Sequence, residues 1–322
     1  MFGKTVVRDM IERSSENETD RRRFLQGAGV AGLGVIGAST LGGLDSAGAA
    51  SAPRAAATTA AAASAPISDG AVLNFALNLE YLEAEFYSYA SFGHGLDHSL
   101  TTGKGNHGGV TGGRKVHFAT PDVAKYAREI AHDEIDHVRF LRKTLGAAKV
   151  SRPSINIKGS FTAAARAAGL IGAHQTFDPY SNENNFLLAA FIFEDVGVTA
   201  YKGAAPLIDN KTYLEAAAGI LAVEAYHAAI IRTNLYGKGL QAPARAISAA
   251  RDSLDGNWDD DRGIGTKKRA NLVPTDHDGI AFSRSADRVL NVVYLTPKKA
   301  TRGGFFPHGV NGVINTSGPK PQ

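Results

Sequence analysis

A glutamate sits near the middle of each of four long helix-forming stretches, and two of the four open a Glu-x-x-His turn. They are Glu80, Glu134 with His137, Glu194, and Glu224 with His227. Residues three apart share a helix face, so a Glu and a His at that spacing can grip one metal ion together. Imidazole and carboxylate suit iron, manganese or zinc, and a chain without cysteine has no thiolate site to offer. One such turn on a solvated helix is an ordinary ion pair. Two turns, with a further carboxylate from each of two other helices, point instead to a two-metal centre inside a bundle.

Helix signals put all four glutamates at similar depth. Asp69 is the expected cap of a first helix running through NFALNLEYLEAEFYSYA to Gly93. Thr120 and Pro121 start a second that ends at Gly146. Asn184 or Asn185 opens a third before Pro206, and Thr212 with Glu215 forms a capping box for a fourth that reaches Gly237. If neighbouring helices are antiparallel, the glutamates meet in one layer. Phe191, Ile192, Phe193 and Val196 surround Glu194, and Ile220, Leu221 and Val223 precede Glu224, so both carboxylates are expected to be buried. Unpaired buried charge costs several kcal/mol, so the layer needs protons, cations or metal. A structural polar network is the plainer alternative.

The pattern repeats by halves, each reading Glu, Tyr, then Glu-x-x-His. Tyr87 follows Glu80 by seven residues and Tyr201 follows Glu194 by seven. Both tyrosines are candidates to donate hydrogen bonds to the ligands or to act in redox chemistry, and otherwise are core residues. Glu83, one turn beyond Glu80, competes with it or supplements it; the Tyr87 spacing favours Glu80. A second Glu-x-x-His turn, Glu129 to His132, overlaps the one at Glu134, but five residues rotate it by about 140°. Only one of the two can face the site, and the apolar Val138, Phe140 and Leu141 favour Glu134 and His137.

The phrases LNFALNLEYLEAEFY, DEIDHVRFLRKTLG, FIFEDVGVTAYKGAAPLI and AVEAYHAAIIRTNLYG resemble the desiccation-related branch of the ferritin-like superfamily, over Asp69 to Gly237. The resemblance implies an all-α, left-handed four-helix bundle over residues 67–237 with one long crossover, supplied here by Ala147 to Glu183. It assigns Glu80, Glu134, His137, Glu194, Glu224 and His227 as metal ligands, for two ions, iron first and manganese next. Dioxygen or peroxide is then the reaction partner.

Arg21, Arg22, Arg23, Phe24 and Leu25 fit a twin-arginine export pattern, followed by the Gly-rich run GAGVAGLGVIGASTLGGL and small residues at Ala47-Gly48-Ala49. Residues 1–50 therefore read as an export signal engaging the twin-arginine machinery, and 51–66 as an Ala-rich linker. That predicts a periplasmic, cell-surface or extracellular destination for a folded, metal-loaded protein. The apolar run is too short and too rich in glycine for a good membrane span. The net charge of +4 is scattered, without a basic stripe interleaved with aromatics, which argues against nucleic-acid binding.

The loop 93–118 carries His94, His98, His107 and His117, a candidate second metal site or a glycine-rich connection. Residues 238–322 read as an extension with two short helices, Ala242 to Leu254 and SADRVLNVVYL, packed on the bundle. WDDDRG and PTDHDG read as solvated loops, with Asp276, His277 and Asp278 a candidate cation turn. Three functions remain open: a dimetal oxidase or peroxide scavenger, a protein that sequesters metal during drying, or a structural module. The intact ligand set argues against the last. A small monomer or homodimer is expected in preference to a storage cage, because the C-terminal extension and the His-rich loop cover faces that cage packing needs.

Overall fold

The computed structural model describes residues 67–256 and 260–319, so the expected export signal and linker lie outside the described residues. The described elements are, in order, α1 (Asp69–Phe92), β1 (Val110–Thr111), α2 (Pro121–Leu145), β2 (Ile155–Asn156), α3 (Gly159–Ala167), α4 (Glu183–Ala204), α5 (Lys211–Gly237), α6 (Gln241–Asp255), β3 (Gly265–Thr266), β4 (Arg269–Ala270) and α7 (Ala286–Val293). The described residues are all-α apart from isolated bridges and two small ladders, a parallel one joining β1 to β2 and an antiparallel one joining β3 to β4.

Hydrogen bonds between helix ends define the bundle. Asn74, early in α1, bonds the backbone of Ala148 and Val150 just past α2, so these helices run antiparallel. Glu183, the first residue of α4, accepts from Thr120 at the start of α2 and pairs with Lys238 at the end of α5, 2.5 Å away. Asp69 accepts from the backbone N–H groups of Asp209 and Asn210 just before α5. Hence α2 and α4 start at one end, α1 and α5 at the other. The crossover between α2 and α4 travels the bundle's length, as a ferritin-like topology requires.

Three caps differ from expectation. Asp69 bonds to the start of α5, and Ser68 caps α1 instead, accepting from the Ala71 N–H. Asn182, two residues before the nearer expected cap, closes α4 on the Asn185 N–H. Asn210 accepts from both Thr212 and Tyr213, so Thr212 lies inside α5 and no capping box with Glu215 forms. An Asx side chain just upstream satisfies the first free N–H groups before a Ser/Thr box is needed. The helix ends at Gly93 and Gly146 are as read from the sequence, and Gly93 takes the left-handed conformation (φ 89°) that suits glycine.

The His-rich loop is fastened to the crossover. Lys104 bridges Val150, and β1 pairs with β2 in the register Val110 to Ile155. The C-terminal segment packs on the bundle and crossover through Phe305, whose ring lies 5.0 Å from Phe161 of α3 and 4.8 Å from Phe193 of α4. Asn311 reaches furthest. Its backbone N–H donates to Asn78 Oδ1 in α1, and its side chain bonds the backbones of Asn106 and Ser151. Asn311→Ala removes three side-chain hydrogen bonds and leaves buried backbone groups behind, which we expect to cost about 2–4 kcal/mol. Urea unfolding should show a lower midpoint with an unchanged slope.

The Asp-rich WDDDRG stretch is not a solvated loop where it is described. Asp260 and Asp261 join Asp195 of α4 and Asp255 of α6 in an ion-pair network with Arg232, Arg251, Arg284 and Arg288. These partners are scattered along the sequence from Asp195 to Arg288, a pairing that local composition cannot reveal. PTDHDG behaves as read: Asp276 closes its own turn on the Asp278 and Ile280 N–H groups.

Candidate metal centre

Each bundle helix carries its site residues where apolar neighbours force burial. Along α4, Phe186 to Val196 is buried almost without a break, and Glu194 is enclosed with it. Glu134, Glu194 and Glu224 have no exposed surface, and Glu80 is 1% exposed. His137 and His227 are buried beside them. All six expected residues come together. Glu80, Glu134, His137 and Glu224 place one ligand atom each within 4.8 Å of the others, and so do Glu134, Glu194 and His227. Glu134 belongs to both groups.

That sharing changes the expected pairing. Glu134 Oε1 lies 3.0 Å from His227 Nδ1, while its Oε2 lies 3.6 Å from its own turn-mate, His137. Glu224 Oε1 lies 3.7 Å from His137 Nδ1 and groups with it, not with His227. Each Glu therefore reaches across the bundle to the other helix's imidazole. Both carboxylate oxygens of Glu134 and of Glu224, together with Glu194 Oε2 and His227 Nδ1, are buried without a hydrogen bond. Carboxylate oxygens and imidazole nitrogens converging at these distances without hydrogen-bond geometry are what a cation between them would satisfy. The donor set fits two hard or borderline divalent ions.

The tyrosines cross in the same way. Tyr87 of α1 donates to Glu194 of α4, and Tyr201 of α4 donates to Glu80 of α1. Burial, and then the charge of the bonded glutamate, raises both phenols well above their usual range, so they stay protonated donors. Sequence spacing placed both near the layer but could not show the exchange of partners between halves. Asp133 was missed altogether. Its carboxylate accepts from His227 Nε2 at 3.0 Å, which orients the ring so that Nδ1 faces the Glu134 and Glu194 carboxylates. A half-exposed aspartate next to a ligand gives no periodic signal.

Other candidates fall outside the cluster. Glu129 and His132 are exposed on the opposite face of α2, with the His132 ring 5.2 Å from Phe92. Phe140, taken above as part of the buried face, is 41% exposed because six residues from Glu134 turn it outward. His98 and His107 meet edge to face, and His107 bonds Thr101. Among the described residues, neither the histidines of loop 93–118 nor the Asp276–Asp278 turn forms a group of three ligands.

The ferritin-like domain model matches residues 68–237, the span from the α1 cap to the end of α5. The chain belongs to the ferritin-like family. This ferritin-like chain is 30% identical to ferritin-like catalase Nec2 of Nesocodon mauritianus over 270 residues, covering 77% of this chain and 85% of that protein. It is equally similar, at 30% over 269 residues, to desiccation-related protein PCC13-62 of Craterostigma plantagineum, covering 77% and 84%. No solved structure matches it significantly.

Electrostatics of the metal-free ferritin-like cluster give a pH prediction. Burial raises Glu80 to about 7 against the pull of His137, and raises Glu194 to about 8 against His227. Burial alone would lower His137, but the Glu80 and Glu134 carboxylates lift it to about 11. Likewise Asp133 and Glu134 lift His227 to about 10. Burial opposes ionisation of Glu134, yet the two imidazoles facing it hold it far below the usual carboxylate range. Glu80 and Glu194 keep protons in the folded state that the unfolded chain releases near 4.5, so stability falls as pH rises from 4.5 through about 8. The histidine contribution is full below 6.5 and is lost as pH rises through about 10 to 11. Metal-depleted protein should therefore melt at steadily lower temperature between pH 5 and 9. The gain on adding metal should grow over the same range, since cations replace the departing protons. A flat melting profile for the metal-depleted form would contradict this.

Proposed function

We propose that this chain is an exported dimetal-carboxylate protein that holds two iron or manganese ions and reacts with peroxide, or with dioxygen, in stress protection. The observation that carries the reading is the Glu134 carboxylate, which is shared between two buried ligand groups and has no hydrogen-bond partner on either oxygen. The match to a relative named a ferritin-like catalase supports peroxide as the oxidant. The Arg-Arg-Arg-Phe-Leu pattern at residues 21–25 supports export by the twin-arginine route.

Glu80, Glu134, His137 and Glu224 would hold one ion, and Glu134, Glu194 and His227 the other. When bound, such a pair supplies electron exchange with the oxidant. The protein's own groups do the rest. Tyr87 and Tyr201 hold Glu194 and Glu80 in place across the bundle, which limits rearrangement as charge changes. Asp133 fixes His227. A groove of about 620 Å³ between α2 and α5, lined by Tyr126, Glu129, Asp133, Tyr226 and His227, gives a small oxidant an approach to the layer. Elsewhere apolar side chains exclude water from it.

Metal-depleted protein reloaded anaerobically with ferrous or manganous ion should consume peroxide with release of oxygen, or oxidise iron on exposure to air. A Glu134→Ala, Glu224→Ala variant treated alike should do neither. Equal rates would remove the catalytic reading. Retention of metal without turnover would support the second reading, sequestration during drying, which the relative named a desiccation-related protein favours.

A further inference from the structure

The two halves of the site are not equivalent. α1 carries Glu80, Glu83 and Tyr87, whereas α4 carries Glu194, Gly197 and Tyr201, so a glycine stands where the repeat calls for a second glutamate. A Cβ at Gly197 would lie 2.3 Å from Glu224 Oε2 and 3.6 Å from Glu83 Oε1. The missing side chain therefore makes the room in which the Glu224 carboxylate lies, with Glu83 lining the same space at ordinary contact distance. Glu83 is 6% exposed and, among the described residues, makes no ion pair with lysine or arginine. The charges that act on it are Glu134, Glu194, Glu80 and His137, all members of the cluster.

A carboxylate buried among like charges is costly unless a cation is near, and glutamine or methionine would fill the same volume at lower cost. Glu85, two residues on, shows what a structural glutamate looks like here: it turns away from the layer, pairs with Arg152 and accepts from the Leu96 N–H. Glu83 has none of these partners. We propose that Glu83 is a seventh ligand side chain, added to Glu80 and not replacing it, and that Glu83 opposite Gly197 makes the two metal positions unequal in affinity. The inference rests on the dimetal reading above.

The test is anaerobic titration of the metal-depleted full-length chain with cobalt(II), followed by calorimetry and visible absorption, and repeated with manganese(II). Wild type should bind two ions with distinct affinities. Glu83→Gln should weaken one of them about tenfold or more and leave the other unchanged. Its cobalt bands should intensify as one carboxylate leaves the coordination shell. Glu83→Asp, a shorter carboxylate, should fall between the two and answers the question if the glutamine variant fails to fold. Gly197→Ala, which drives the Glu224 carboxylate out of the space it shares with Glu83, should disturb the same position. Unchanged affinities and spectra in Glu83→Gln, alongside loss of one ion in Glu194→Gln, would overturn the role of Glu83 while leaving the dimetal centre standing. No cobalt or manganese binding by wild type would overturn both.

Discussion

Replacing Arg284 with methionine should lower stability by about 3–5 kcal/mol, a large share of what a domain possesses. Arg284 is only 1% exposed. Its Nε meets Asp255 at 2.5 Å, Nη2 meets Asp261, and Nη1 donates to Thr199 Oγ1 at 2.8 Å. Methionine keeps the volume and removes the charge, so two buried aspartates each lose one arginine, leaving Asp261 with Arg251 and Asp255 with Arg288 at 3.5 Å. The backbone at this point is equally committed: Arg284 N–H donates to the Thr199 carbonyl, and a Cβ at Gly203 would sit 1.9 Å from the Arg284 oxygen. Differential scanning calorimetry should show a melting temperature lower by roughly 6–20 °C, at about 2–4 °C per kcal/mol for a domain of this size. Adding Asp255→Asn and Asp261→Asn to the same variant should recover part of the loss. A variant as stable as wild type would mean that the network is solvated enough to do without this arginine.

The second large effect concerns metal. Glu134→Gln should abolish both bound ions at concentrations that fill the wild type, an affinity loss of about 100-fold or more, whereas Glu194→Gln should remove one. The difference follows from sharing: Glu134 belongs to both ligand groups, Glu194 to one. Glutamine is isosteric and neutral, so the metal-free fold should survive, with the imidazoles losing the carboxylate they now share. Metal analysis after anaerobic loading and desalting reads the result directly. If Glu134→Gln retained one ion like Glu194→Gln, the shared role would be wrong.

The bundle and its inward-facing glutamates were legible because both depend on short-range rules. Helical period puts Glu134 inside and Glu129 outside without reference to the rest of the chain. The same rule could not separate Glu80 from Glu83, since residues three apart share a face, and the fold brings both into the layer. Caps were harder: Asp69 and Ser68 are adjacent and both suited to capping, and the choice turned on a bond to Asp209, 140 residues away. Asp260 and Asp261 read as solvated because their arginine partners lie on other elements. Asp133 was hidden for a related reason, its purpose being set by a histidine 94 residues on.

The clamp between Asn78 and Asn311 fixes the order in which this molecule can be finished. α1 is the first bundle helix to leave the ribosome, yet the backbone partner of its buried Asn78 is made 233 residues later, about 12–47 s at ordinary rates of synthesis. The native arrangement around α1 cannot close during translation. Until then the bundle lacks its last wedge, so the length of the tail sets how long α1 waits for its final partner.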